Sequence, residues 1–343
     1  MSRAAVLDRW GRRALGAAAG LALDRAVGEP PVPGRLHPVA LFGTGVAALE
    51  ARVYADRFAP GASLTAAGVG TAALAGAALR SPTAGAYLAT AGRGLHEVAL
   101  EVAAALDAGD LPAARGLLPS LVGRDARTLD EAAIARAVVE SVAENTTDAV
   151  IAPALWTAAG GPVGAFVHRA GDTLDSMVGY RDERYRRFGT ASARLDDVLA
   201  WCPARATAAL VALARPRRAG AVMRTVRRDA RHHPSPNAGV AEAAFAAALG
   251  VRLGGGANRY GEVVEVRPCL GDGRAPGRAD VHAAVALSRD VTWVLAGLLA
   301  AGGGLALAAA HRSRPAGAGT RVPALPPGAS AQHVRPPSGS SGR

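Results

Sequence analysis

The chain has 343 residues, half of them apolar and only 4% aromatic, so its apolar mass is made of Ala, Leu, Val and Gly. Residues this small suit the close packing of helices in a membrane better than the cores of two soluble domains. The formal net charge of +11 comes from scattered arginines without interleaved aromatic residues, which argues against a nucleic-acid partner.

The basic residues concentrate in the N-terminal flank, in residues 215–231 and in the C-terminal tail. The positive-inside rule places such segments in the cytoplasm. The sequence contains no lysine, which excludes a Walker P-loop and any Schiff base, because both need that amine. Phosphate must therefore be bound by arginine, backbone N–H groups or metal. The isolated Cys202 and Cys269 exclude a disulfide framework and are expected to be small buried apolar residues.

The N-terminal segment carries arginines before the apolar stretch Ala14–Leu23 and so looks like a signal peptide. We expect an uncleaved first membrane helix at Arg12–Val27 instead. The apolar stretch runs into Asp24 and a proline-rich turn, without a cleavage context.

Three uncharged runs are long enough to span a membrane, although the third, Ala149–Val167, is interrupted near its middle. Pro60–Leu79 and Val291–Ala310 each have about 20 residues, enough for a helix to cross a hydrocarbon core of roughly 30 Å. Shorter helices are predicted around the first run, from Val39, from Thr83, at Leu95–Leu106 and at Leu111–Leu118.

A further helix is predicted over 125–147, with Asp130 as a candidate N-cap and apolar residues at helical spacing. Glu140, Glu144 and Asp148 fall four residues apart and therefore share one face. Either a row of solvent-exposed charges or a functional site would explain this face. Because Asp148 runs directly into an apolar segment, the stripe approaches the membrane surface, where carboxylates usually mark a site.

That apolar segment, Ala149–Val167, contains Gly160-Gly161-Pro162 in its middle, and these residues disfavour a continuous helix. We expect a hairpin of two half-length helices. The hairpin would bring the acidic face close to Asp172 and Asp175, whereas a straight span would hold them roughly 28 Å apart.

The next segments are more polar. Arg194 and Asp197 lie three residues apart, so they either form a local ion pair or bind a ligand. Arg215–Arg231 is a predicted basic cytoplasmic helix. The loop at 232–237 contains two prolines, and Asn237 at its end either caps the next helix or binds a ligand.

The glycine-rich residues 253–261 are explained equally by turns and by close approach to a ligand. Residues 312–343 are rich in Pro, Gly, Ser and Arg and are expected to be a disordered tail after a membrane-embedded domain at 1–311. Together these elements predict an all-α, polytopic helical membrane protein with short or re-entrant helices and cytoplasmic helical segments.

Several ungapped blocks carry a family resemblance. Those in the N-terminal half are Leu23-Asp24, Gly28-Glu29-Pro30, His37-Pro38-Val39, Val122-Gly123-Arg124-Asp125 and Arg136–Asn145. Those that follow are Ile151-Ala152-Pro153, Thr173–Tyr180, Ala193–Asp197, Pro203-Ala204-Arg205, His233–Asn237 and Leu249–Gly255. In this order the blocks resemble the adenosylcobinamide-phosphate synthases of cobalamin biosynthesis, over residues 21 to about 300.

The resemblance implies an integral membrane enzyme that joins adenosylcobyric acid to (R)-1-aminopropan-2-ol phosphate, or to the free amino alcohol, with ATP and Mg²⁺. The amide would form on the one remaining free propionate of the corrin. The chain departs from the family pattern at Glu29, where Asp is usual, and at His168, which replaces a common aromatic residue. At Asp172 the family usually has Asn, so a metal ligand is kept there but an amide donor is lost.

A carboxylate must be activated before it reacts with an amine at neutral pH, and an acyl phosphate formed from ATP is the natural route. This step needs metal ions to bridge phosphates, donors that stabilise charge on the transferred phosphoryl group, and exclusion of water. Mg²⁺ prefers oxygen ligands and typically takes one or two carboxylates.

The candidate site residues fall into three groups. The catalytic candidates, among which the base that frees the attacking amine stays open, are Glu140, Glu144, Asp175 and His233. The candidates for binding substrate and phosphate are Arg124, Asn145, Arg181, Arg194 and Asn237. The candidate Mg²⁺ ligands are Asp148, Asp172, Asp196 and Asp197.

The alternative functions are a transporter with intramembrane carboxylates and a scaffold for corrinoid-pathway enzymes. A transporter should show inverted repeats and acids centred within apolar runs, whereas the acids here cluster at segment ends. Chiefly because of the resemblance, we expect a multi-pass enzyme of the cell membrane, with its N-terminus and polar site in the cytoplasm. Its expected partners are its substrates, membrane lipid and other cobalamin-pathway enzymes.

Overall fold

The computed structural model describes residues 2–30, 32–123, 125–180, 182–260 and 263–313, without the side chains of 257–266. The first helices are α1 (Arg3–Val27), α2 (Pro38–Val53), α3 (Phe58–Leu79), α4 (Pro82–Ala89), α5 (Gly92–Asp107) and α6 (Leu111–Leu117). The later ones are α7 (Glu131–Thr146), α8 (Ala152–Gly160), α9 (Pro162–Val178), α10 (Thr190–Ala214), α11 (Ala219–Asp229), α12 (Ala238–Leu249) and α13 (Arg278–Arg312).

Between α12 and α13 the chain forms two short antiparallel strand pairs, which begin in the predicted glycine-rich segment. Its short strands are β1 (Leu253–Gly254), β2 (Ala257–Tyr260), β3 (Val263–Val266) and β4 (Cys269–Leu270). Strand β1 pairs with β4, and β2 pairs with β3. The rest of the described chain is helices and their connections, so the predicted all-α, polytopic class is confirmed.

Three helices of the described chain, α3, α10 and α13, are long and apolar enough to cross a membrane. Helices α3 and α13 contain the two uninterrupted runs. Helix α10 was not predicted as a span, because the acids in its first turns interrupt the apolar pattern. Helix α1, the predicted first membrane helix, is not among the three. Large apolar side chains face outward from the spans, such as Leu74 at 74% exposed and Leu305 at 70%, as a lipid-facing surface requires.

Helices α1 and α13 pack backbone to backbone through glycine. A Cβ atom added at Gly11 would lie 2.8 Å from the carbonyl oxygen of Gly303. Small residues at a helix interface allow this approach, and van der Waals packing of this kind drives helix association in a membrane. The Ala- and Gly-rich composition therefore allows these helices to pack closely.

The predicted hairpin is confirmed. Gly161, with φ of +69°, separates α8 from α9, and Pro162 begins α9. A Cβ atom at Gly164 would collide with the carbonyl group of Trp156, so the two arms touch through their backbones. The first arm is longer than the half-length helix predicted, because α7 runs through a π-helical turn at 147–151 into α8. Helix α7 begins after Asp130, whose side chain accepts the Ala133 N–H at 2.8 Å, and not at 125.

Two prolines each leave one backbone carbonyl group without its usual helical hydrogen bond. Pro153 has no N–H to donate to the Ala149 carbonyl four residues earlier, and this oxygen accepts the N–H of Ala91 at 3.0 Å. Pro203 likewise frees the Leu199 carbonyl, which accepts the indole N–H of Trp156 at 3.0 Å. These bonds join α8 to α10 and the π-helical turn to the start of α5.

The prediction of buried cysteines was wrong, since Cys202 and Cys269 are both exposed. Cys202 lies on the outer face of α10 beside the exposed Trp201. A thiol facing lipid is as well solvated as one in a core, so its apolar character did not decide which way it points.

Candidate active site

A cleft of about 260 Å³ opens where α7, α9, α10 and the loop before α12 meet. Its lining includes five carboxylates, those of Glu144, Asp148, Asp175, Asp196 and Asp197. His233, Ser235, Asn237 and Arg267 complete its polar wall. Seven of the predicted site residues, far apart in the sequence, thus share one cavity.

Helix geometry places the carboxylates on the cleft side. Glu144 and Asp148 are four residues apart, and Asp148 lies in the π-helical turn. On α10 the cleft-facing residues are Ala193, Asp196, Asp197 and Ala200, a spacing that selects one helix face. The two alanines of this set are small and leave room around the acids.

Asp175 lies in the last turn of α9, and Gly179 closes that turn by donating its N–H to the Asp175 carbonyl at 2.7 Å. A Cβ atom at position 179 would collide with the carboxylate of Asp175. The glycine therefore gives this carboxylate its place in the cleft.

The acids repel one another. Burial raises the pKa of Asp148 well above its ordinary range, and the charges of Asp172 and Asp196 raise it further. Burial also raises the pKa of Asp172, although the nearby Arg169 guanidinium lowers it. Asp148 and Asp172 lie outside the three candidate spans. Carboxylates held this close are stabilised by a proton or a bound cation.

One or two carboxylates of the cleft offer the oxygen ligands that Mg²⁺ prefers. Among the described residues, no three His, Cys, Asp or Glu side chains are grouped tightly enough to form a metal site alone. Mg²⁺ usually keeps several waters and binds one or two carboxylates together with substrate phosphates. Asp148 and Asp196, whose charges interact, are the residues that would hold it, with Asp172 beside them.

His233 packs at the back of the cleft against the fully buried Glu242, whose Oε1 lies 3.6 Å from His233 Nε2. The Arg267 guanidinium lies 3.6 Å from the same oxygen. Nδ1 of His233 lies 3.1 Å from the backbone N of Ser235 and 3.2 Å from its carbonyl oxygen. Both ring nitrogens are thus directed at protein groups.

Asn237 begins α12 but does not cap it with its side chain. The Ser235 hydroxyl oxygen accepts the N–H groups of Asn237 and Ala238 instead, at 3.3 and 3.1 Å. Asn237 Oδ1 accepts from Arg205 at 2.8 Å, and its Nδ2 donates to the Asp197 carbonyl at 2.9 Å. Its side chain therefore ties the loop to α10 at the edge of the cleft.

Other predicted site residues lie elsewhere. Glu140 is buried below the cleft, where it accepts the N–H of Gly254 at 2.8 Å and supports β1. Asn145 donates to the Ser141 carbonyl and lines a second cavity. Asp172 pairs with Arg169 at 3.1 Å, and Arg194 is exposed. Arg124, Arg181 and the tail at 314–343 lie outside the described residues.

Sequence reasoning missed two arginines, Arg267 in the cleft and Arg169 beside Asp172. Arg267 follows the glycine-rich strands without any motif that would single it out. Arg169 could have been predicted as a neighbour of Asp172, because it lies three residues earlier and therefore on the same helix face.

Comparison with known proteins shows the family. The family model described as CobD/Cbib protein matches residues 17–288. The chain is 48% identical over 295 residues to the Cobalamin biosynthesis protein CobD of Mycobacterium tuberculosis, covering 82% of this chain and 93% of that one. It is 43% identical over 273 residues to the protein of the same name from Pelobacter propionicus, covering 74% and 83%.

A third relative, also named Cobalamin biosynthesis protein CobD, comes from Chromobacterium violaceum and is 42% identical over 297 residues, covering 81% of this chain and 93% of that one. No solved structure matches the chain. The family model spans most of the chain, including every carboxylate of the cleft, and so the chain belongs to the CobD/Cbib family of cobalamin biosynthesis.

Proposed function

We propose that this protein catalyses the ATP-dependent ligation of adenosylcobyric acid with (R)-1-aminopropan-2-ol phosphate, giving adenosylcobinamide phosphate. The observation that carries the proposal is the cleft itself, in which five carboxylates face Arg267 and Asn237 in a chain without lysine. A ligase that handles nucleotide phosphates needs such a set of oxygen ligands for metal and a fixed cation for phosphate.

In the proposed first step, an oxygen of the corrin propionate attacks the terminal phosphorus of ATP, and ADP leaves. Bound Mg²⁺ would neutralise charge on the phosphates, held by Asp148 and Asp196. Arg267 offers forked donors to the transferred phosphoryl group. Its anchor, Glu242, is fully buried, so the guanidinium is fixed before substrate binds and needs little reorganisation.

In the second step, the amine attacks the acyl carbon, phosphate leaves, and the nitrogen loses a proton. Glu144 and Asp175 are the bases we assign, because both line the cleft while both nitrogens of His233 contact protein groups. A general base in reach of the amine typically contributes about 10²–10⁴-fold to the rate.

We further propose a multi-pass arrangement in the cell membrane, with the N-terminus and the cleft on the cytoplasmic side. The support is the three candidate spans, the outward-facing apolar side chains, and the arginines of the N-terminal flank, which favour a cytoplasmic N-terminus. ATP is a cytoplasmic substrate in this arrangement.

The test is product formation by purified protein in detergent, measured by mass spectrometry of the corrinoid. Asp175→Asn and Glu144→Gln should each lower the rate by about 10²-fold or more, with membrane insertion and thermal unfolding unchanged. Glu131→Gln, at an exposed carboxylate in the first turn of α7, is the matched control and should keep full activity. Wild-type turnover in both cleft variants would remove those residues from the mechanism.

A further inference from the structure

Asp148 does not lie in a regular α-helix. It lies in the π-helical turn at 147–151, in which the Ala152 N–H donates to the Thr147 carbonyl five residues earlier. Pro153, which has no N–H to continue the α-helical pattern, accounts for the widened end of this turn. Turns of this kind are rare and often occur at functional sites. The start of the turn, from which Asp148 enters the cleft, is held by contacts with neighbouring helices.

The hydroxyl group of Thr147 makes one of these contacts. A threonine hydroxyl within a helix often donates to the carbonyl four residues earlier, as Thr157 does to Pro153 at 2.7 Å. Thr147 donates instead to Thr207 Oγ1 on α10, at 3.0 Å, and both threonines are buried. Thr207 in turn donates to the Pro203 carbonyl at 3.0 Å. Each hydroxyl hydrogen of the pair therefore has an acceptor.

This bond joins two of the helices whose carboxylates meet in the cleft. Asp148 is the residue after Thr147, and Asp196 lies on α10, about three turns before Thr207. Both acids line the cleft. The placement of one acid against the other therefore depends on how the π-helical turn sits on α10, and the Thr147–Thr207 bond fixes that seat.

The neighbouring threonine makes its contact on another side of the same junction. Thr146 Oγ1 lies 2.6 Å from the Val142 carbonyl oxygen and 2.7 Å from Ser288 Oγ on α13. Ser288 Oγ also lies 2.9 Å from His96 Nε2 on α5. Neither Ser288 nor His96 lines the cleft. Thr146 therefore anchors the end of α7 to α13, whereas Thr147 anchors the turn to the helix that carries the cleft acids.

We propose that Thr147 is a positioning residue, which holds the π-helical turn against α10 and so places the Asp148 carboxylate beside Asp196 to bind Mg²⁺. This inference rests on the proposed function for the identity of the cation. Thr147 does not itself line the cleft, and it acts through the residue that follows it. Groups that orient a metal ligand typically contribute about 10–100-fold to metal affinity.

Thr147→Val separates this role from folding. Valine has nearly the shape of threonine, and Thr207 keeps the Pro203 carbonyl as its acceptor, so no buried donor loses its partner. Without metal, the unfolding temperature of the purified full chain should stay close to that of the wild type. At pH 8, the Mg²⁺ concentration that gives half of the magnesium-induced rise in unfolding temperature should increase about tenfold or more. Thr147→Ser keeps the hydroxyl group and should restore the wild-type concentration.

Three further variants complete the test. Thr207→Val removes the same bond from its other side, so the double variant with Thr147→Val should bind Mg²⁺ no more weakly than the weaker single variant. Asp148→Asn removes the ligand itself and sets the size of a complete loss. Thr157→Val is the matched control, because it removes an equally buried hydroxyl group whose bond stays within α8. Its magnesium response should equal that of the wild type.

A wild-type magnesium response in Thr147→Val, an equal weakening in Thr157→Val, or failure of serine to restore the response would overturn the inference. Additive losses at Thr147 and Thr207, or no magnesium response in the wild type, would also overturn it. Failure of the proposed function looks different, since wild-type protein then makes no amide product while its magnesium response still depends on Thr147. In active protein, Thr147→Val should raise the Mg²⁺ concentration for half-maximal turnover and leave the KM for the amino alcohol unchanged.

Discussion

Asp175 shows how a single backbone position sets the chemistry of this site. Its carboxylate lines the cleft because Gly179, one turn later, has no Cβ atom to displace it. The two residues belong to the block Thr173–Tyr180, in which a catalytic role was predicted for the acid and none for the glycine. The position of the carboxylate therefore depends on the glycine.

Gly179→Ala should therefore act on catalysis more than on folding. We expect the displaced carboxylate to cost about 10²-fold in turnover, because small misplacements of a reacting group have effects of that size. The unfolding temperature should fall only modestly, because the Asp175 side chain can move aside, although the added Cβ atom would also lie 2.7 Å from the Asp175 carbonyl oxygen. The control is Gly304→Ala, at a position with open space around it. Full activity in Gly179→Ala would contradict the role assigned to Asp175.

Because the carboxylates of the cleft repel one another, the effect of Mg²⁺ on the stability of the protein should depend on pH. The folded-state pKa values of Asp148 and Asp172 are raised, above an unfolded value of about 3.9. Their contribution to stability is thus complete below that value and is lost as pH rises through the folded-state pKa. A bound cation replaces the missing protons, so Mg²⁺ should raise the unfolding temperature more at pH 8 than at pH 6. A magnesium effect that is equal or larger at pH 6 would contradict this linkage.

Among the elements, the α8–α9 hairpin does most to assemble the site. It returns the chain so that Asp172 and Asp175 approach Glu144 and Asp148. Its tightness depends on Gly164, which lies against the carbonyl of Trp156. The indole of Trp156 in turn donates to α10 at the carbonyl that Pro203 leaves free.

Gly164→Val should separate the two arms of the hairpin. The clash is with backbone, which cannot rotate away, so we expect a loss of about 1–3 kcal/mol in the free energy of unfolding together with lower activity. Gly160→Ala, four residues earlier and with open space around it, is the control and should be close to neutral. Thermal unfolding in detergent measures both. A wild-type unfolding temperature for Gly164→Val would show that the arms do not pack as described.

The elements also show where sequence reasoning stops. Proline and glycine chemistry predicted the break at 160–162, and Asp130 was predicted as the cap of α7, because both signals are local. Helix α10 was missed as a span because its acids lie within the same helix as its apolar face. Asn237 was considered as a helix cap because capping residues bond to residues close to them in the sequence. Its side chain instead bonds to residues of α10 that are 32 and 40 positions away in the sequence. Arg267 contacts Glu242 on a distant element of the chain, and no local sequence pattern indicates such a contact.

At the scale of the whole molecule, the two exposed cysteines serve as natural probes of topology. Cys202 lies on the outward face of the span α10, and Cys269 lies in β4 outside the spans. With the cleft in the cytoplasm, a membrane-impermeant maleimide should label neither cysteine in intact cells. In inside-out vesicles it should label Cys269 and leave Cys202 protected by lipid. Cys269→Ser should abolish that signal, and labelling of Cys269 in intact cells would reverse the proposed orientation.

The central claim concerns the reaction, and oxygen transfer tests it most directly. Adenosylcobyric acid labelled with ¹⁸O in its free propionate is incubated with purified protein, Mg-ATP and aminopropanol phosphate. The account predicts an amide-linked corrinoid that forms only with ATP, and one ¹⁸O atom per turnover in the released phosphate. Absence of product from folded protein, or product without that oxygen transfer, would contradict activation of the carboxylate by ATP.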